Sequence, residues 1–404
     1  MTRPTVLAYY FPDWHKDPRN AAWFGDGWDE WHLLRAAQPR YPGHRQPRVP
    51  ALGWRDESDP SIAAHEIDLA ADHGIDGFLV DYYWYDDGSY LSGALDNGLL
   101  GAPNRERIRF ALMWANHELV DIFPSDDPHG PVAPRLKDGA IDRVAFESMA
   151  RHVIDTYFTL PNYLTVDGRP WFSVYEIGNL IAGLGGVKEA RDALRWFEEE
   201  TISAGFPGLH LDAVVWGFGV LPTAVSVADP ASLVHELGFR SATSYVWVHH
   251  TDATDHPFPA GDPEQLRDEA FAAYEEYAAS LSVPFHPNIT VGWDASPRTR
   301  QDIAFEAGRY PYTPVWDQTP EQFESALEMA KEFVLRHPTP WPAVTINAWN
   351  EWTEGSALLP DSHHGTAYLD AVKRVFGDAG ALDGSAASAE LAGQSTATTG
   401  GSTT

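Results

Sequence analysis

A chain of 404 residues with 44% hydrophobic content can bury a sizeable core as one large α/β domain or two smaller ones. Its formal net charge of −30 argues against nucleic acid or an anionic membrane surface as a partner, since both would repel it. The absence of cysteine excludes a disulfide frame and thiol chemistry. The N-terminus MTRPTVLAYYFPDW has neither a basic segment ahead of a long apolar run nor a small-residue cleavage site, so a cytoplasmic chain without a membrane span is expected.

In chain order, eight apolar, β-rich runs are predicted strands: TVLAYYF from Thr5, IDGFLVDYYW from Ile75, IRFALMWAN from Ile108, RPWFSVYEI from Arg169, LHLDAVVWGF from Leu209, FRSATSYVWV from Phe239, FHPNITVGWD from Phe285 and PAVTINAWNEW from Pro342. Between them, helical spacing and start signals predict helices in SDPSIAAHEIDLAADHG, AIDRVAFESMARHVIDTYF, VKEARDALRWFEEETISAG, DPEQLRDEAFAAYEEYAASL and TPEQFESALEMAKEFVLRH. The segments after the second and fifth strands carry weaker helical signals. Near-continuous apolar strands alternating with amphipathic helices predict a parallel sheet covered by helices. Eight such units predict a closed (β/α)8 TIM-type barrel with its active site at the C-terminal ends of the strands. An open doubly wound sheet is the competing arrangement, but no glycine-rich phosphate turn follows the first strand. The barrel is expected over residues 1–377, with a disordered Gly/Ala/Ser/Thr-rich tail over 378–404.

The residues that close the strands carry the chemistry. They are Tyr10 and Trp14; Asp81, Tyr83 and Trp84; Trp114, Asn116 and His117; Tyr175 and Glu176; Trp216; Tyr245, Trp247 and His249; Trp293 and Asp294; then Asn350, Glu351 and Glu354. Acids, amides and flat amphipathic rings at eight strand ends point to a glycan cleft, because such rings stack on the apolar faces of sugars. Glu351 and Glu354 dominate the pattern. On a strand, positions three apart face opposite ways, so a working pair needs a turn between them, and Gly355 permits one. Two carboxyls in an aromatic pocket can have their proton affinities driven apart, as glycosidic-bond chemistry requires. A metal is the minority reading: there are 17 His but no HExxH. No GxSxG elbow marks a serine hydrolase.

Over Leu7–Phe376, the ordered blocks AYYFPDWH, GWDEW, YPGHRQPRVPALGWRDESDP, HGIDGFLVDYYWY, WAN, VGWDASPR and INAWNEWTEG resemble the glycoside hydrolase family 99-like proteins. That group includes the WbsX-like proteins of bacterial polysaccharide gene clusters. The resemblance implies a (β/α)8 barrel, retaining endo-acting activity on α-mannosides, and no metal or other cofactor. It makes Glu351 the base on the sugar's own 2-hydroxyl, which attacks the anomeric carbon to give a 1,2-anhydro sugar, and Glu354 the acid/base on the leaving oxygen. Glu30 in GWDEW, and His44 and Gln46 in GHRQPR, join Trp14, Asp81, Tyr83, Trp84, Trp114, Asn116, His117, Tyr175, Tyr245, Trp293, Asp294 and Asn350 as candidate substrate-binding residues. Many relatives read WANEN where this chain reads WANHE, so His117 replaces an acid and bears on which sugar is taken.

WbsX-like members are commonly described as glycosyltransferases, but no DxD motif on a Rossmann-like sheet and no basic cluster for a diphosphate is present. Hydrolysis or transglycosylation of an oligo- or polysaccharide is therefore the expected activity. A glycosyltransferase of cell-surface polysaccharide synthesis is the second reading, and a non-catalytic glycan-binding protein the third.

Overall fold

The computed structural model describes residues 3–130, 132–219 and 229–377; the tail expected from Asp378 lies outside them. Eight parallel strands form the barrel: β1 (Thr5–Tyr10), β2 (Gly77–Tyr85), β3 (Arg109–Trp114), β4 (Arg169–Val174), β5 (His210–Val214), β6 (Ser241–Thr243), β7 (Phe285–His286 and Asn288–Thr290) and β8 (Ala343–Asn347). Each pairs with the next in sequence, and β8 returns to β1 with Thr5 opposite Ala343. The register steps from Leu7 opposite Gly77 to Gly77 opposite Arg109, then Leu112 opposite Phe172. All eight predicted runs therefore contain barrel strands.

One run differs from expectation. FHPNITVGWD is interrupted at Pro287, so its first piece pairs with β6 and its second with β8. Proline has no N–H to give to a ladder. Ring closure thus passes through two short pieces, while the Pro287 carbonyl still accepts from Thr345 N at 3.0 Å.

The helices that pack around the strands include α1 (Pro60–Asp72), α2 (Arg143–Val153), α3 (Val187–Ser203), α4 (Pro230–Leu237), α5 (Pro263–Ser280), α6 (Pro320–Arg336) and α7 (Ala367–Phe376); three short ones, Pro18–Phe24, Trp31–Ala36 and Ile177–Leu184, lie in the connections. A capping residue followed by proline starts four of the numbered helices. Asp59, Asp229 and Asp262 accept from a backbone N–H of the first turn, and Thr319 forms a reciprocal capping box with Gln322. Helix α7 was not predicted, although it buries Tyr368, Leu369, Val372, Val375 and Phe376. It packs beside α6, with an Arg374–Glu324 ion pair at 2.6 Å. The weak signal after the second strand corresponds to a single irregular turn, Ala94–Leu99. Among the described residues no helix is long and apolar enough to cross a membrane.

The barrel interior is not purely apolar below the strand ends. Asp212 on β5 accepts hydroxyl hydrogen bonds from Ser173 (2.9 Å), Ser241 (2.7 Å) and Thr243 (3.0 Å). Burial nevertheless pushes its carboxyl up to about 7, with the three hydroxyls pulling it partly back. In the unfolded chain the same group ionises near pH 4. Above that pH the folded state holds a proton that the unfolded state has released, so stability falls as pH rises from about 4 to about 7 and then levels off. Urea midpoints should drop across that window, with Asp212 contributing on the order of 4 kcal/mol at most. Asp212→Asn should flatten the slope; an unchanged slope would show that Asp212 is ionised throughout.

Candidate active site

Strand alternation decides which side chains reach the barrel mouth. Asp81 and Tyr83 on β2, Met113 on β3 with Ala115 and His117 beyond it, Tyr175 after β4 and Tyr245 after β6 lie at every second position and line one cleft. The cleft has a volume of about 830 Å³, counting its opening to solvent. Its other polar walls include Asp13, Glu30, Tyr90, Glu118, His249, Trp293, Arg298, Tyr310, Glu351 and Glu354, and Leu91, Leu119, Val120, Ile122 and Phe123 form an apolar side.

The turn anticipated between the two glutamates is present. Asn350–Glu351 is a two-residue strand paired with Ser356–Ala357, Trp352–Glu354 is one 3-10 turn, and Gly355 closes it at φ 70°. A Cβ on Gly355 would lie 2.6 Å from Cβ of Asp294, so both conformation and space require glycine there. The turn brings the two carboxyls to one guanidinium. Arg298 Nη2 donates to Glu351 Oε1 at 2.7 Å, and Nη1 donates to Glu354 Oε1 at 2.5 Å. Arg298 also donates to Glu30 Oε1 from Nε (3.0 Å) and Nη2 (2.8 Å), and to the Tyr310 hydroxyl at 2.5 Å. The Tyr310 hydroxyl in turn donates to Glu354 Oε1 at 2.6 Å.

Burial raises the proton affinity of both glutamates. The Glu351 carboxyl is held well above the usual range by burial and then by the charge of Glu354, against the pull of Arg298. Glu354 is also raised by burial, with Arg298 and the Tyr310 hydrogen bond pulling it back. Asp81 is raised by burial, partly offset by the Tyr245 hydroxyl at 3.0 Å. Burial lowers His117 and His249, so both imidazoles are neutral near pH 7. Such coupled carboxyls release protons in steps that belong to the pair. Among the described residues no group of three or more His, Cys, Asp or Glu is arranged to hold a metal ion; the positive charge between the carboxylates is that of Arg298.

Of the seventeen candidate catalytic and substrate-binding residues read from sequence, Glu30, Asp81, Tyr83, His117, Tyr175, Tyr245, Trp293, Glu351 and Glu354 meet in the cleft. Eight others do not line it. Trp84 packs against His152, and Trp114 against Phe146, because they occupy the outward-facing alternate positions. Trp14 is fully buried, packed at a tilt against Trp31 and donating to Asn350 O at 2.8 Å. Asn350 uses its amide to bond both Phe11 N and Phe11 O at 2.8 Å, sewing the end of β1 to the glutamate turn. Asn116 does the same to Glu176 N and O at 2.7 Å.

His44, Gln46 and Asp294 form a buried clasp. Asp294 Oδ2 contacts His44 Nε2 at 2.8 Å and accepts from Gln46 Nε2 at 2.7 Å. His44, then Arg48 and Ser296, hold the Asp294 carboxyl below the usual range despite its burial. The loop carrying His44 and Gln46 is thereby fastened beside the cleft, where these side chains support its wall.

Arg298 and Tyr310 were missed. The SPR of VGWDASPR carried Arg298 in view, but a buried arginine read from sequence has no visible partner, and Tyr310 lies in a loop without a strand pattern. Asp13, two positions beyond Phe11, was passed over for its neighbour Trp14.

The family model described as glycosyltransferase WbsX matches residues 6–372. The chain belongs to the WbsX family. WxcX of Xanthomonas campestris pv. campestris, in two strains, is 28% identical over 383 residues, covering 92% of this chain and 49% of the relative. The WbsX-family chain described here thus spans about half the length of those relatives.

Among solved structures, the GH99 endo-alpha-mannosidase from Bacteroides thetaiotaomicron is similar over 92% of this chain and 96% of that one, with TM-score 0.52. A protein described as glycoside hydrolase-like aligns over 93% and 94% with TM-score 0.57. Both are 13% identical to this chain, so they bear on the fold alone. They show that this WbsX-family chain shares the barrel fold of those two proteins.

Proposed function

We propose that this WbsX-family protein is a retaining glycosidase that cleaves a glycosidic bond, of α-mannoside type, in an oligo- or polysaccharide whose donor sugar has a free 2-hydroxyl. The observation that carries this reading is the pair Glu351 and Glu354 on the two terminal nitrogens of Arg298, in a cleft walled by tyrosines and Trp293. Burial gives both carboxyls a raised proton affinity. That suits a group that must donate a proton near neutral pH and a base strong enough to take one from an alcohol.

In the first step Glu351 accepts the 2-hydroxyl proton as that oxygen bonds to the anomeric carbon. The bond from this carbon to the leaving oxygen breaks, and Glu354 supplies the leaving oxygen's proton. In the second step water adds to the anomeric carbon and gives a proton to Glu354. The strained ring opens, and Glu351 returns its proton to the 2-oxygen. Two inversions at one carbon amount to retention.

The family description favours a second reading, transfer from a sugar nucleotide. Against it, the cleft carries six carboxyls, namely Asp13, Glu30, Asp81, Glu118, Glu351 and Glu354, and its arginine has committed all its donors to protein acceptors. A diphosphate would meet repulsion there. Screening aryl glycosides and oligosaccharides beside sugar nucleotides, with product analysis by mass spectrometry, separates the readings. Hydrolysis or transglycosylation without a nucleotide is the expected result. Transfer from nucleotide donors alone would overturn it, and saturable binding without products would identify a glycan-binding protein.

A further inference from the structure

Arg298 has five N–H groups, and all five are used: two on Glu30 Oε1, one each on Glu351 Oε1, Glu354 Oε1 and the Tyr310 hydroxyl. Three carboxyl groups thus share one cation, all of them buried. Glu30 takes the Nε and Nη2 edge of the guanidinium, sharing Nη2 with Glu351, while Glu354 is held by Nη1. It is also tied to their turn, because the Thr353 hydroxyl, between Glu351 and Glu354 in sequence, donates to Glu30 Oε1. We propose that Glu30 is a positioning residue whose ion pair with Arg298 takes up the guanidinium charge, leaving the Glu351–Glu354 pair one proton to share.

The reasoning is electrostatic. An arginine facing only Glu351 and Glu354 would favour ionisation of both, and a fully ionised pair has no acid to offer the leaving oxygen. With Glu30 engaged, Arg298 and Glu30 cancel to first order, and the two remaining carboxyls sit in a buried site where two negative charges repel. One stays protonated and the other is free to act as base. The other groups facing this cluster do not supply a competing cation. Asp13 is raised by burial and then by Glu30's charge; Asp81 is raised by burial; His117 is kept neutral by burial; Tyr83, Tyr175, Tyr245 and Tyr310 are held protonated. Glu118 lies across the cleft, 3.5 Å from Arg135. Phe11 and Phe123 place their rings 5.7 and 5.3 Å from the guanidinium carbon, closing its remaining sides.

This inference rests on Glu351 and Glu354 being the working pair, but its test needs no substrate. The full chain labelled with 13C at the glutamate carboxyls is titrated by NMR, with Glu351→Gln and Glu354→Gln assigning the signals. In Glu30→Gln the pair should release its shared proton at a pH at least one unit lower, a tenfold loss of proton affinity. Glu118→Gln, in the same cleft but without contact to Arg298, should leave that pH unchanged. Where Glu30→Gln does not fold, judged by its thermal transition, Glu30→Asp draws the carboxylate back by one carbon and should shift the release in the same direction by less. A release pH unmoved or raised in the folded Glu30 variant overturns the proposal. Because the readout is ionisation of the free protein, that outcome is distinct from a failure to find glycosidase activity.

Discussion

Glu354→Gln should lower turnover by roughly 10²–10⁴ on substrates with ordinary alcohol leaving groups, the usual contribution of a positioned general acid. Glycosyl fluorides, whose leaving group departs without a proton, should retain activity within about tenfold of the unaltered protein. Glutamine is the informative substitution because its side-chain oxygen can still accept from Arg298 Nη1 and from the Tyr310 hydroxyl, the two contacts that hold Glu354. The cleft should keep its shape while losing only the transferable proton. Comparing kcat/KM across a series of aryl leaving groups checks this. The variant should become steeply dependent on leaving-group acidity, and an equal loss on every substrate would remove Glu354 from the acid role.

Glu351→Gln should abolish activity to the same order of 10²–10⁴, and here fluorides should give no rescue. The step lost is recruitment of the attacking oxygen, which an easier departure does not replace. A substrate lacking its 2-hydroxyl, or carrying it as a methyl ether, should likewise be inert with the unaltered protein. A covalent adduct trapped by a 2-deoxy-2-fluoro glycoside would instead establish an enzyme nucleophile. Asp81 would then be the carboxylate to examine. It lines the cleft, one of its oxygens accepts from Tyr245 at 3.0 Å, and the other is buried without a partner among the described residues. Asp294 is committed to His44 and Gln46, and Glu176 does not line the cleft. Peptide mapping of the adduct decides between the two outcomes.

The barrel was legible in the sequence because its causes are local. Each strand is a short apolar run that needs burial on both faces, and several of the helices announce themselves through a capping side chain and a proline at the first turn. The break at Pro287 was also written there, since a residue without an N–H cannot serve both neighbours of a ladder, but the run was read through it. Helix α7 escaped because no capping signal comparable to Asp59–Pro60 precedes it: Thr366 makes no side-chain cap bond.

The candidate site divides along the same line. Glu351, Glu354 and the turn at Gly355 follow from residue type and spacing, as do the strand-end residues Asp81, Tyr83, Tyr175 and Tyr245. Sequence alone did not separate them from Trp84, Trp114 and Asn350. One step along a strand moves a side chain to the opposite face, and the last residues before a loop leave the register open until the barrel closes.

Only the tertiary structure decided the partners of the charges. Arg298 meets Glu30 across 268 positions and Glu351 across 53, and Asp294 meets His44 across 250. Whether a carboxyl is a proton donor, a base or a structural anchor depends on which buried group faces it and how much water is excluded. Those conditions come from the fold as a whole. The sequence therefore marked Asp81, Glu351 and Glu354 as acids of the barrel mouth, and the packing of loops far apart in the chain decided that Glu351 and Glu354 share an arginine in the cleft while Asp294 is fastened outside it.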